Sequence, residues 1–122
     1  MKKKPSLRRL RNKLDKVFSE FIRRRDAKNE EGYGNCFTCG RWRKLESSHF
    51  VPRQHLATRW DPMNVHGACS YCNRWLHGNL AEYWVALVKL YGQGTPEGLL
   101  RLKRQTIKLT REHLQSMIEL FK

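Results

Sequence analysis

Cys36-Phe37-Thr38-Cys39 and Cys69-Ser70-Tyr71-Cys72 decide how this 122-residue chain folds, because each holds two thiols separated by two residues. Residues 40 to 68, 29 in all, lie between the pairs. This spacing lets one tight turn aim both sulfurs at one ion, and two such turns complete a tetrahedral tetrathiolate zinc site with bonds of about 2.3 Å. Four thiolates fill the coordination sphere, so the expected zinc is structural and holds no water or substrate. In a domain this small its binding energy, on the order of 10 kcal/mol, acts as folding energy. Two disulfides would need an oxidising compartment. The Met1-Lys2-Lys3-Lys4 start is not followed by an apolar export segment, and no apolar run nears the roughly 20 residues of a membrane span. The expectation is a cytoplasmic chain, without membrane contact, in which the cysteines bind metal.

Outward from the cysteines, the chain reads as one α+β domain. Residues 1 to 11, rich in Lys and Arg around Pro5, suggest a flexible basic arm before a single domain over residues 12 to 122. Leu14, Val17, Phe18, Phe21 and Ile22 recur at helical spacing, predicting an N-terminal helix within residues 12 to 30 whose last turn is basic at Arg23, Arg24 and Arg25. Gly32, Gly34 and Asn35 break it. Residues 44 to 51 suit a strand, 52 to 62 a loop, and 70 to 77 a short helix, which together give a zinc-bound ββα core over residues 36 to 78. Residues 79 to 122 read as a C-terminal helical segment. Its first helix carries Leu80, Tyr83, Trp84, Leu87, Val88 and Tyr91 on one face; Thr95 is the expected cap of a second, with Pro96 at its first position, and Thr110 that of a last helix with the stripe Leu114, Met117, Ile118 and Phe121.

Twenty-five Lys and Arg against eleven Asp and Glu give a formal charge of +14. That excess favours a polyanion as partner but names no reaction, and a protein that only neutralises phosphate would share it. Chemistry enters with the insert between the cysteine pairs, which holds Glu46-Ser47-Ser48-His49-Phe50-Val51-Pro52 and then Asn64-Val65-His66, and with Asn73, which follows the last cysteine. This order resembles the HNH (ββα-metal) endonucleases: a His ending a strand before a Pro, an Asn-apolar pair after a loop, and Cys-x-x-Cys-Asn opening a helix. Phe18 to Ala27, Cys36 to Gly40, Ser48 to Phe50, Arg59 to Asp61 and above all Asn64 to Asn79 resemble the phage NinG/Rap recombination family of branch-specific endonucleases.

The resemblance implies roles. His49 would be the general base that takes a proton from the attacking water, and its ordinary pKa of about 6.5 suits that task. Asn64 would brace the loop that orients it. Asn73 would bind a catalytic magnesium or manganese ion, with His77, four residues on, as a further ligand that favours manganese. Most HNH enzymes carry Asp immediately before the base, where this chain has Ser48. The NinG-like pattern has an acid three residues before the His instead, and Glu46 stands there, either near the cation or paired with Arg43. His66 is expected to pack beside the zinc loop, and His55 and His113 to be surface residues. Arg53, Arg59 and Arg74, with Arg23 and Arg24, are candidate phosphate contacts.

The expected function is metal-dependent hydrolysis of DNA, with branched recombination intermediates such as a Holliday junction or D-loop as substrate, a homodimer suited to paired cuts, and recombination proteins as partners. The alternatives are a zinc-stabilised nucleic-acid-binding protein without catalysis and a sequence-specific homing or restriction nuclease.

Overall fold

A computed structural model describes residues 3–122. Helix α1 (Leu7–Asp26) places Leu10, Leu14, Phe18 and Ile22 four residues apart, and all four are buried. The Ser6 side chain caps it by accepting a hydrogen bond from the Arg9 amide at 3.1 Å. The helix thus starts at Leu7, inside the segment read as a flexible arm. Leu10 extends the apolar stripe back by one turn and a capping serine stands at its head, so ordering this turn is favourable. Residues 1 and 2 of that arm lie outside the described residues.

Two small antiparallel hairpins follow. Strands β1 (Tyr33–Asn35) and β2 (Trp42–Lys44) flank the first cysteine pair. Strands β3 (Glu46–His49) and β4 (Val65–Ala68) pair in the register Glu46 with Ala68 through His49 with Val65. The single strand expected over residues 44 to 51 is therefore split between two sheets, and the loop after it contains one helical turn, α2 (Leu56–Arg59). All four residues of β4 are buried. Gly67 suits this close approach: a Cβ would meet Leu45 Cδ1 at 2.9 Å and Asp26 Cβ at 3.1 Å, so both would have to shift to admit one. Asp26 instead accepts the Gly67 amide at 2.7 Å, while Arg25 donates to the Pro62 and Val65 carbonyls at 2.9 and 2.8 Å. The end of α1 is thereby buckled to β4.

The second cysteine pair opens a π-helical turn, Tyr71–Trp75, where an α-helix was expected. Its wider pitch shows in the Leu76 amide, which donates to the Tyr71 carbonyl five residues back. Helices α3 (Leu80–Tyr91), α4 (Thr95–Leu102) and α5 (Arg111–Phe121) complete the chain. Of the apolar face foreseen for α3, Tyr83 and Leu87 are buried, whereas Leu80, Trp84 and Tyr91 are exposed. Thr95 does not cap α4; Gly94, in the left-handed region, does, and this moves Pro96 to the second helical position. Thr110 caps α5 as expected, accepting from the His113 amide.

One core joins α1, α5 and Val65, with the Phe18 and Phe121 rings edge to face at 4.8 Å. A second joins Phe50 and Val51 to Tyr83, Leu87 and Leu99. Among the described residues, no helix is long and apolar enough to cross a membrane.

Candidate functional site

The four cysteine sulfurs converge, each within 4.8 Å of the others. Gly40, at φ 75°, closes the first knuckle by donating to the Cys36 carbonyl, and the Phe37 amide donates to Gly67 at 3.0 Å, which ties the knuckle to β4. Backbone amides already point at sulfur: Cys69 N–H to Cys36 Sγ at 3.2 Å and Cys72 N–H to Cys69 Sγ at 3.4 Å. Against the upward push of burial, such N–H donors hold the Cys36 thiol at about 6, while burial and the neighbouring thiols push Cys69 up to about 12. Four sulfurs this close cannot all ionise without a cation among them, and a soft divalent ion such as zinc answers that need. Among the described residues, this is the single group of three or more Cys, His, Asp or Glu arranged to hold an ion.

His49 ends β3 and lines a cleft of about 300 Å³ with Asp15, Lys16, Phe18, Ser19, Ser47, Arg53 and Arg59. Its Nε2 lies 2.9 Å from the Arg59 carbonyl oxygen. A carbonyl only accepts, so Nε2 carries the hydrogen and Nδ1 keeps the lone pair. Burial, then the charge of Arg53, holds the imidazole below its ordinary value against the opposing Arg59 carbonyl and Asp15. The ring is thus a neutral base near pH 7.

Asn64 is wholly buried and satisfied at both ends. Its Oδ1 accepts the Val51 amide at 2.8 Å, and its Nδ2 donates to the Val51 and Thr58 carbonyls at 3.0 and 3.1 Å. One side chain therefore closes the loop between β3 and β4, on which the carbonyl partner of His49 rides.

Asn73 lines a neighbouring depression of about 530 Å³ with Ser19, Arg23, Lys44, Glu46, Ser47, Ser70 and Arg74. The two hollows share Ser19 and Ser47. Ser47 Oγ donates to the Ser19 carbonyl at 3.2 Å, so Ser19 Oγ is the donor in the 2.9 Å contact between the hydroxyls. Asn73 Nδ2 donates to Glu46 Oε1 at 2.9 Å, which leaves Asn73 Oδ1 as an acceptor beside the carboxylate. Glu46 pairs with Arg74, not with Arg43. Ser48 faces the interior, fully buried, and its Oγ lacks a hydrogen-bond partner, so this residue does not share the depression with Glu46.

His77 does not join Asn73 on a helical face. The π-helical turn ends at Trp75, and His77 is exposed with φ 51°, so the i, i+4 argument for a shared ligand pair lapses. Of the candidate phosphate contacts, Arg53 and Arg59 both donate to Asp15, the former at 2.8 Å. Arg24 reaches the Phe121 carbonyl at 3.3 Å, and Arg23 the Ser19 carbonyl. A further hollow, of about 770 Å³, contains Arg23, Arg24, Lys28 and Lys44 but also Glu20, Glu30 and Glu31. None of His49, Asn64 and Asn73 lines it.

Asp15 is the residue that sequence reasoning passed over. Hydrogen bonds from Arg59 and Trp60, with the charges of Arg59 and Arg53, keep its carboxyl below the ordinary range despite the upward push of burial. The available signal was its place beside Leu14 on the flank of the buried stripe, where a lone acid needs a partner.

His66 has the packing role expected of it. Its ring stacks on Phe37 at 3.9 Å. Tyr83 gives its proton to the Ser48 carbonyl at 2.7 Å, so His66 Nδ1–H donates to Tyr83 at 3.1 Å and Tyr91 donates to Nε2 at 2.8 Å. Burial, then the charge of Arg25, holds His66 at about 4 against Asp26. The unfolded ring, near 6.5, binds protons more readily. Its contribution to stability is therefore complete above pH 6.5 and is lost as pH falls toward 4. Between pH 7 and 5 the wild type is expected to lose about 2 kcal/mol more than His66→Gln in urea unfolding. Equal losses would show that His66 is not held neutral.

The fold and site define a small α+β domain pinned by a four-cysteine cluster suited to zinc, with polar clefts along one strand. The chain belongs to the NinG family: the family model described as Bacteriophage Lambda NinG protein matches residues 1–122. No curated protein and no solved structure matches it.

Proposed function

We propose that this protein is a metal-dependent DNA endonuclease with His49 as its general base. The observation that carries the reading is the imidazole fixed by the Arg59 carbonyl, with Nδ1 as its acceptor, in a cleft lined by Lys16, Arg53 and Arg59. Such a base takes a proton from water, the water oxygen bonds to phosphorus, and the bond from phosphorus to the 3′ oxygen breaks. Solvent returns a proton to the leaving oxygen.

Glu46 and Asn73 supply the oxygens that would hold a catalytic cation. This donor set fits magnesium or manganese, ions that take oxygen ligands and keep several waters. Such an ion would stabilise charge on the phosphate and the leaving oxygen. Lys44 and Arg23 beside it, and Arg53 in the neighbouring cleft, suit the flanking backbone. Family membership supports branched recombination intermediates as the substrate, in the cytoplasm of the phage's host, with a dimer matching paired cuts.

The test compares a four-way junction, a linear duplex and supercoiled plasmid, each with magnesium or manganese. Junction cleavage well above duplex cleavage is the expected result. Cutting of linear duplex at one sequence would favour a site-specific nuclease, and salt-sensitive binding without cutting would leave a zinc-stabilised DNA-binding protein.

A further inference from the structure

The carboxylate of Asp15 receives four N–H donors from three residues of one short segment. Oδ1 accepts from Arg59 Nε at 3.0 Å and Trp60 Nε1 at 2.9 Å. Oδ2 accepts from a second nitrogen of Arg59 and from Arg53 at 2.8 Å. The Arg59 contact is a two-pronged, charge-assisted clamp, the arrangement that fixes orientation most strongly. Residue 59 also contributes the backbone carbonyl that receives Nε2–H of His49. Asp15 itself sits on α1, a helix of 20 residues held by the α5 core and by the Arg25–Asp26 buckle to β4.

The loop carrying the Arg59 carbonyl thus has two anchors. Asn64 fixes it at Val51 and Thr58 from within, and Asp15 fixes its far end at Arg59 and Trp60 from α1. Arg59 is mostly buried, with 13% of its side chain exposed, and Asp15 with 19%, so the clamp is shielded from solvent in a way the Arg53 contact, at 59%, is not. A pair placed only for stability gains little at such positions. This one holds still the atom that decides which imidazole nitrogen is free.

We propose that Asp15 is a positioning residue: by clamping Arg59 and Trp60 to α1 it fixes the carbonyl that keeps His49 in its Nε2–H form. Its effect on cleavage rests on the nuclease reading, whereas its control of the imidazole does not. The test uses the full zinc-loaded chain and long-range proton–nitrogen spectra at pH 8. In the wild type the two His49 ring nitrogens are expected to be widely separated in shift, one protonated and one bare. Asp15→Asn turns an amide donor toward guanidinium donors, so it is expected to narrow that separation, and Asp15→Glu to restore it in part.

Cleavage by Asp15→Asn is expected to lose 10-fold to 100-fold in kcat with KM changed by less than about twofold. Unchanged His49 shifts in folded Asp15→Asn would overturn the proposal. If that variant does not fold, Arg59→Lys, which keeps the charge and loses the fork, is expected to narrow the same separation, and unchanged shifts there overturn it equally. If the shifts move but wild-type protein cuts no DNA, the nuclease reading falls and the positioning role stands. If wild type and Asp15→Asn cut with equal kcat, the positioning role falls and the nuclease reading stands.

Discussion

Stripping the zinc, or replacing Cys72 with Ser, is expected to abolish the cooperative thermal transition. The cysteine cluster joins two knuckles that are otherwise linked by one backbone hydrogen bond from Phe37 to Gly67 and the stacking of Phe37 on His66. The first knuckle rests on a three-residue hairpin, and the second is a π-helical turn with Tyr71 and Trp75 exposed. Two-stranded hairpins are marginal alone, and the net stability of a small domain is only about 5–15 kcal/mol. The loss of an ion worth on the order of 10 kcal/mol is therefore comparable to the whole margin. Metal analysis should find one zinc per chain, and circular dichroism with a strong chelator should show the sheet and π-turn region lost. An undiminished melting temperature in the chelated protein would mean that the cysteines are merely buried thiols.

His49→Ala is expected to reduce cleavage by 10²-fold to 10⁴-fold, the usual worth of a positioned general base. Zinc content and DNA binding are expected to be unchanged, because the ring's hydrogen bond is to the Arg59 carbonyl and not to a sulfur or a cationic side chain. The pH profile gives an independent check. His49 acts only when neutral, and burial holds it below 6.5. The wild-type rate should then rise with pH through an apparent pKa below 6.5 and level off by pH 7, and the residual activity of His49→Ala should lack this rise. Equal rates in wild type and variant would remove His49 from the chemistry.

How much of this was legible in the sequence depended on whether a residue's partners lay nearby. The cysteines declare themselves by spacing, and His49 and Asn64 by their order within one insert. The hydrogen bonds of their side chains all stay within residues 49 to 64. Asp15 was hidden because its partners are 38 to 45 residues away, and for the same reason Arg53 and Arg59 read as phosphate contacts with no sign of the carboxylate they hold. His77 misled in the opposite direction. Four residues from Asn73, it looks helical, yet the wider π turn and a left-handed residue carry it elsewhere. The start of α1 was obscured by charge, since Arg8, Arg9 and Arg11 mask the single buried Leu10 that extends the stripe.

Among the described residues, strand β3 pairs with β4 alone, and α1 lies against it through the Ser19–Ser47 contact. An open edge invites a second molecule to add itself, and short strands set among lysines and arginines are a common defence. Lys44, Arg74 and Arg23 line one depression with Glu46 and Ser47 of this strand. Cations beside so short a strand discourage edge-to-edge pairing with another copy, so the dimer proposed above would form through a different face. Removing those charges is expected to bring the chain closer to self-association through this strand.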